Sequence, residues 1–334
     1  MLTLEQLEER SPLIEIDAGS DTWSVAFAPN GEYIVSGGQG GLGVWRVEDG
    51  EQMASMGARR ACSVAVSKDG RWIAAGTLNG DAIVWDAKTF KQVFSHKQHG
   101  DVFGVDFSPD STRIVTASRN QTATVWDVVA RNKVLLTLHH TGMVVAAKYS
   151  PQGDRIATAT LGSTVRVYDS NNGCLLVEIP VNVTPWYNTG LLWSNNHLFA
   201  ISHSTIKKFE ASTGSAVTEW PVPVLNNILC VALPQHGKFI AYGTNDTVTF
   251  CDMWARTQLG LIQHPQDISL IVSSPDDRFL AIIGRNGRVT IRSRITVSIV
   301  FLWIILDVNN FLVPLVFPIG FNPSVSSTSH SSRT

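Results

Sequence analysis

Arg113-Ile-Val-Thr-Ala-Ser118, a short polar turn and then Thr124-Val-Trp-Asp127 make up the stretch that decides how this chain folds. Apolar and small side chains alternate along both segments, the period-two pattern of strands whose successive residues point to opposite faces of a sheet. Just upstream, Val105-Asp-Phe107 alternates in the same way into a turn at Asp110-Ser111. Three strands, a, b and c, therefore follow one another through tight connections, and a more variable fourth segment comes after Asp127.

The unit repeats. A segment ending in an aromatic residue returns at Trp45, Trp85, Trp126, Tyr168, Phe209 and Phe250, with gaps of 40, 41, 42, 41 and 41 residues, and a seventh copy places Arg292 in the aromatic slot. Ahead of these segments, Val25-Ala-Phe27 runs into Asn30-Gly31, Val64-Ala-Val66 into Asp69-Gly70, Ala147-Lys-Tyr149 into Gln152-Gly153, and Val231-Ala-Leu233 into His236-Gly237. Such a period is that of a four-stranded propeller blade. A lone blade leaves one face wet, and with apolar burial worth about 25 cal/mol per Å², neighbouring copies must pack face to face around an axis. The expected fold is all-β, a seven-bladed β-propeller.

Val84-Trp85-Asp86, Val125-Trp126-Asp127, Val167-Tyr168-Asp169 and Phe107-Ser108-Pro109-Asp110 resemble the WD40-repeat family, and the resemblance runs from residue 12 to about residue 293. The first four copies carry the motifs. The fifth, around Leu191 to Glu210, and the two after it keep the period more than the motif, which marks a divergent member. The resemblance implies a buried hydrogen-bond set in each blade: a His before strand a, a Ser or Thr on strand b, an Asp in the following turn and the Trp of strand c. No copy is complete. The fourth has His140, Thr158 and Tyr168 with Gly162 in the acidic slot, and Asn79, Asn120 and Asn286 take that slot elsewhere. Packing is therefore expected to hold the blades more than polar locking.

The resemblance also implies that an N-terminal strand closes the last blade, which removes exposed sheet edges. Pro12-Leu-Ile-Glu-Ile16 suits that position, beside the strands between Ile268 and Arg292. The expected organisation is a short helical segment over 1–11, with Thr3 and Gln6 spaced as a capping box, the propeller over 12–294, and a hydrophobic then Ser/Thr-rich tail over 295–334. A single membrane-spanning helix needs about 20 apolar residues, and the apolar stretch here is interrupted by Asp307, Asn309, Asn310 and Pro314. Membrane contact is expected only if 295–317 acts as an anchor; a rim appendage and a mistranslated or alternatively spliced end are the alternatives.

With 26 Lys and Arg against 28 Asp and Glu, the chain has no general basic surface, and direct nucleic-acid binding is not expected. The acidic, amphipathic start from Met1 to Arg10 is unlike a secretory signal, and Cys62, Cys174, Cys230 and Cys251 form no CxxC pair. The expectation is an intracellular protein, cytoplasmic or nuclear, with its cysteines as reduced thiols. Gly38-Gln-Gly40-Gly-Leu-Gly43 has the form of a dinucleotide fingerprint, but Val44-Trp45-Arg46 follows it in place of a helix whose N-terminus would take a pyrophosphate. Its register puts it on the turn between strands b and c of blade one. His96, His99, His139 and His140 resemble a metal cluster, yet they fall at equivalent positions of two copies with no Cys or acidic ligand at the right spacing; His140 is read as structural and the others as exposed. His197, His203, His236 and His264 are assigned to turns. No cofactor and no metal are expected.

Binding is expected at the channel mouth, where strands a begin. By register that ring is Trp23, Cys62, Phe103, Val145, Thr189, Leu229 and Ser269. Trp23 and Phe103 are large aromatics of the kind that anchor a partner peptide. Trp186 and Tyr187 extend the surface, and Arg60 and Arg119 add a preference for acidic segments if they face the same end. The alternative is that these aromatics plug the channel or pack beneath loops. The function expected is a non-enzymatic protein-binding scaffold or adaptor, a monomer within a larger complex, that presents this surface to proteins or peptides. An enzyme using channel residues would instead need charged side chains converging at the ring, and a membrane-tethered propeller would need the tail as its anchor.

Overall fold

The computed structural model of the chain describes residues 14–19, 21–130, 133–161, 164–181, 191–201, 205–221, 230–233, 239–253 and 257–293. Every regular element among them is a strand, and the strands form seven four-stranded antiparallel sheets. These are the blades of a ring around a central axis. The innermost strands, a, are Thr22–Phe27, Ala61–Val66, Val102–Phe107, Val144–Tyr149, Leu191–Ser194, Cys230–Ala232 and Ile268–Ser273. The ring closes between first and last: Ile14–Asp17 pairs antiparallel with Arg288–Ser293, Ile16 lying opposite Val289, so the N-terminal strand is the outer strand of blade seven. The helical segment expected over 1–11 and the tail over 295–334 lie outside the described residues.

Burial is greatest on the second strands and least on the outermost. The second strands, such as Tyr33–Gly38 and Arg113–Ser118, are buried at every position but the first, whereas the outer strands Gln92–Lys97 and Lys133–His139 are largely wet. Small residues on the second strands let blades approach closely: a Cβ on Gly76 would come within 2.7 Å of Val102 in the next blade. Side chains also stitch neighbours together. The Ser24 hydroxyl accepts the N–H of Val64 at 3.1 Å, Ser63 accepts that of Val105 at 3.1 Å, and the Asp106 carboxylate accepts that of Tyr149 at 2.8 Å. Each bond satisfies a backbone donor on an inner strand that has no further strand beside it.

The Ser-x-Asp turn between strands a and b has a local cause. Ser67, Ser108 and Ser274 each accept the N–H five residues on, at 2.9 Å, and donate to the Asp two residues on.

The third strands place Trp45, Trp85, Trp126, Tyr168, Phe209 and Arg292 at one equivalent position, opposite Ile34, Ile73, Ile114, Ile156, Leu198 and Leu280. In blade six the residue in this slot is Cys251, opposite Ile240, and not Phe250. The register break that falls just before Trp45, Trp126 and Tyr168 falls just before Cys251 as well. Phe250 occupies the preceding position, where blades one to four have Val, and its ring is buried in the inter-blade core.

Among the described residues, polar locks form in blades three, four and seven. In blade four His140 Nε2 lies 2.8 Å from the Thr158 hydroxyl and 3.2 Å from the Tyr168 hydroxyl. Burial holds this imidazole down to about 4, so it is neutral near pH 7. In blade three Gln98 stands where blade four has His140; its amide donates to Thr116, which also accepts the Trp126 indole N–H at 3.0 Å. In blade seven the corresponding residue is His264, buried, with Nε2 3.4 Å from the Thr290 hydroxyl. His264 is thus a lock residue and not a turn residue, and His197 opens strand b of blade five, 3.4 Å from Glu210. His96 is half-buried with its ring 3.6 Å from that of Trp126, while His99 and His139 are exposed. Gly162, His203 and His236 lie outside the described residues.

Candidate functional site: the top face and channel

Two faces are set by the strand directions. The top face is the end where strands a begin and where the turns between strands b and c lie; the bottom face carries the turns between a and b.

Trp23, Cys62, Phe103, Val145 and Ser269 each occupy the second position of a strand a, and in all five the pairing with strand b skips that residue. The skipped residue is a bulge, which bends the strand and re-aims one side chain. Among the described residues, the ring positions read from sequence are therefore bulges near the start of strands a. Trp23 and Phe103 are half-buried, and Phe103 leans on the cluster containing Val145. Cys62 is fully buried with its thiol donating to the Val102 carbonyl at 3.0 Å, and burial pushes that thiol up to about 12. It packs the wall and is not a reactive thiol. Thr189, Leu229, Trp186 and Tyr187 lie outside the described residues.

Arg60 and Arg119 share this top face. Arg60 directly precedes strand a of blade two, in a left-handed conformation with φ of 61°; its N–H donates to the Gln39 carbonyl and its own carbonyl accepts from Leu78. Arg119 donates its N–H to the Asp101 carbonyl at 2.8 Å, and its guanidinium is 3.3 Å from the Asp101 carboxylate. Arg285 repeats this arrangement with Asp267 at 3.8 Å. The rim is thus mixed in sign. Blade four differs, carrying Met143 and Leu161 at the positions that are charged in blade three.

Deeper in, a cavity of about 300 Å³ is lined by strands a of all seven blades. At one level of its wall stand Ala26, Ala65, Asp106, Lys148, Leu192, Ala232 and Val272, of which only Asp106 and Lys148 are charged. Their charged atoms are 3.4 Å apart. Burial in the wall pushes the Asp106 carboxyl above its ordinary range, opposed by the Lys148 ammonium and by the hydrogen bond from Tyr149. This pair escaped sequence reasoning. Its signal was an acid and a base at the same position of consecutive copies, 42 residues apart.

The sequence profile described as "WD domain, G-beta repeat" matches residues 11–46, 53–86, 90–127 and 132–169, the first four repeats. The chain's first four repeats are WD40 repeats. Among relatives, the chain is 30% identical over 112 residues to the WD repeat-containing protein SL1-17 of Schistosoma mansoni, a stretch that is 33% of this chain and 37% of that protein. It is 36% identical over 86 residues to WD repeat-containing protein 1 of Xenopus tropicalis, or 25% of this chain and 14% of that one. The matched segments thus span well under two thirds of these relatives. The serine-threonine kinase receptor-associated protein of Gallus gallus is 24% identical over 231 residues, 67% of this chain and 61% of its own length. Among solved structures, the β-propeller domain of Cps50 (Swd1) from Myceliophteria thermophila superposes with a TM-score of 0.73 at 18% identity, covering 84% of this chain and 98% of that domain. That likeness shows the β-propeller fold, including the three blades that the repeat profile does not match.

Proposed function

We propose that the chain is a non-enzymatic protein-binding platform whose partner docks on the top face, at the channel mouth. The observation that carries this reading is the set of bulges near the start of strands a: in blades one and three the bulged residue is a half-buried aromatic, Trp23 or Phe103. Aromatic anchors with partial burial offer apolar area at low entropic cost, and Arg60 at the rim adds a charge that favours acidic partner segments. WD40 propellers serve in general as interaction scaffolds, which agrees with this use. The paired Asp106 and Lys148 satisfy one another across adjacent blades and are read as part of the wall. We place the protein inside the cell, where thiols such as the exposed Cys174 stay reduced.

The test is quantitative affinity capture from extract with the wild type, a Trp23→Ala/Phe103→Ala variant and a bottom-face Lys68→Glu variant, all of matched thermal stability. Partners lost with the first variant and kept with the second support the reading. Partners kept with both, or lost only with Lys68→Glu, contradict it.

A further inference from the structure

A second cavity, of about 620 Å³, lies in blade one apart from the channel. Its walls include Ala18, Ser36, Gly43 and Trp45, with Asp17 and Asp21 beside them. Comparison with blades three, four and seven explains why it is there. In those blades the residue four positions before strand a is Gln98, His140 or His264, and its side chain reaches a hydroxyl on strand b or c. In blade one that position is Ala18, which has no side chain to reach with. The rest of the lock is in place: Ser36, the counterpart of Thr116, accepts the Trp45 indole N–H at 2.8 Å. Gly43 deepens the slot, because a Cβ there would lie 2.5 Å from the indole nitrogen. Trp45 is only half-buried, whereas Trp126 of blade three, where Gln98 fills the corresponding place, is buried.

The chemistry of the vacant slot defines what fits. Thr116 in blade three accepts two N–H donors, one from Trp126 and one from Gln98, while Ser36 accepts only the first among the described residues. A group filling the slot should therefore bring an N–H donor. The indole supplies a flat aromatic wall, and no ion pair among the described residues engages Asp17 or Asp21, whose carboxylates favour a cation. A planar, multiply donating cation that stacks on aromatic surfaces is a guanidinium. We propose that blade one binds an arginine side chain of a partner polypeptide, which donates to the Ser36 hydroxyl, lies against Trp45 and faces Asp17 and Asp21. The slot is separate from the channel-mouth ring, so this proposal and the preceding one stand or fall independently. A cavity of this size is within the range of about 300–1,000 Å³ usual for small-ligand sites.

The probes are acetyl-Gly-Arg-Gly-amide, its citrulline counterpart, which has the same shape without the charge, and its lysine counterpart, titrated into the full chain. The readout is the indole N–H resonance of Trp45, assigned with Trp45→Phe. The arginine peptide should shift that resonance saturably, with the citrulline and lysine peptides binding at least severalfold more weakly. Ala18→Gln, which supplies the side chain that blade three uses, should abolish the shift and raise the melting temperature. Asp21→Asn, a change at an exposed residue, should weaken the arginine peptide about threefold, as expected for one partly solvated ion pair. No shift with the arginine peptide, equal binding of citrulline or lysine, or undiminished binding to Ala18→Gln or Asp21→Asn would each overturn the proposal.

Discussion

Acid should unlock blade four before it titrates most of the surface. His140 is buried, its Nε2 meets two hydroxyls, and burial holds its proton affinity down from 6.5 to about 4. In the unfolded chain the same imidazole recovers its ordinary affinity, so between pH 6.5 and 4 the unfolded state binds more protons than the native one. Stability contributed by the neutral ring is then fully present above about pH 6.5 and lost as the pH falls toward 4. At about 1.4 kcal/mol for each tenfold change in proton affinity, the full loss is roughly 3 kcal/mol, of which about 2 kcal/mol is gone by pH 5. His140→Gln removes the titrating group and installs the residue that blade three uses at this position, where Gln98 bonds Thr116. Urea unfolding of both proteins at pH 7, 6, 5 and 4.5 isolates the histidine, because the carboxylates common to both cancel in the difference. The wild type should lose about 2 kcal/mol more than the variant between pH 7 and pH 5. Parallel pH profiles would refute the burial argument and imply that the ring reaches solvent or gains an unrecognised anionic partner.

Three further outcomes follow from packing. Phe250→Ala should cost about 3–5 kcal/mol because its ring is buried between blades, whereas Cys251→Ala in the half-buried aromatic slot should cost under about 1 kcal/mol; comparable losses by chemical denaturation would count against the blade-six register. Ile16→Asp puts a charge at a buried position of the closing strand opposite Val289 and should lower the melting temperature sharply, while Glu15→Ala at the exposed neighbouring position should leave it nearly unchanged. Asp106→Leu alone leaves the Lys148 ammonium in the channel wall without its partner and should destabilise by a few kcal/mol; adding Lys148→Met should recover much of that loss, and a double variant worse than the single would contradict the pairing.

The parts of this fold that are local in the chain were readable from the chain. The Ser108-Pro-Asp110 turn, the alternation through Val105 to Phe107 and the His140–Thr158–Tyr168 set each act within one repeat, so spacing alone exposes them. Register alone puts Trp23 and Phe103 at the second position of strand a, whereas the bulges at those positions have no signal in the sequence. The misplacement in blade six has a specific cause. In Val248-Thr-Phe-Cys-Asp252 the aromatic stands one residue early, and a reading that follows aromatics takes Phe250, whereas the backbone is set by Asp252 lying opposite Phe239. His264 was missed because its blade offers Arg292 in place of an aromatic, so the familiar grouping is absent even though its spacing to strand a equals that of His140. Asp106 and Lys148 meet only because adjacent inner strands lie side by side around the axis, a relation the ring creates. The blade-one cavity was equally hidden. It is defined by a side chain missing at Ala18, and within the Gly38 to Gly43 run, which has the form of a nucleotide fingerprint, Gly43 leaves the space beside Trp45 clear.

Partners are expected to dock on the top face. The most direct measurement is amine-reactive cross-linking of the chain with its captured partner, read out by mass spectrometry. Lys97, at the end of an outer strand beside Asp81, lies at the top, while Lys68, Lys88 and Lys91 lie on bottom-face turns. Docking at the mouth predicts partner cross-links to Lys97 that disappear in the Trp23→Ala/Phe103→Ala variant. Cross-links confined to Lys68, Lys88 and Lys91 would contradict it.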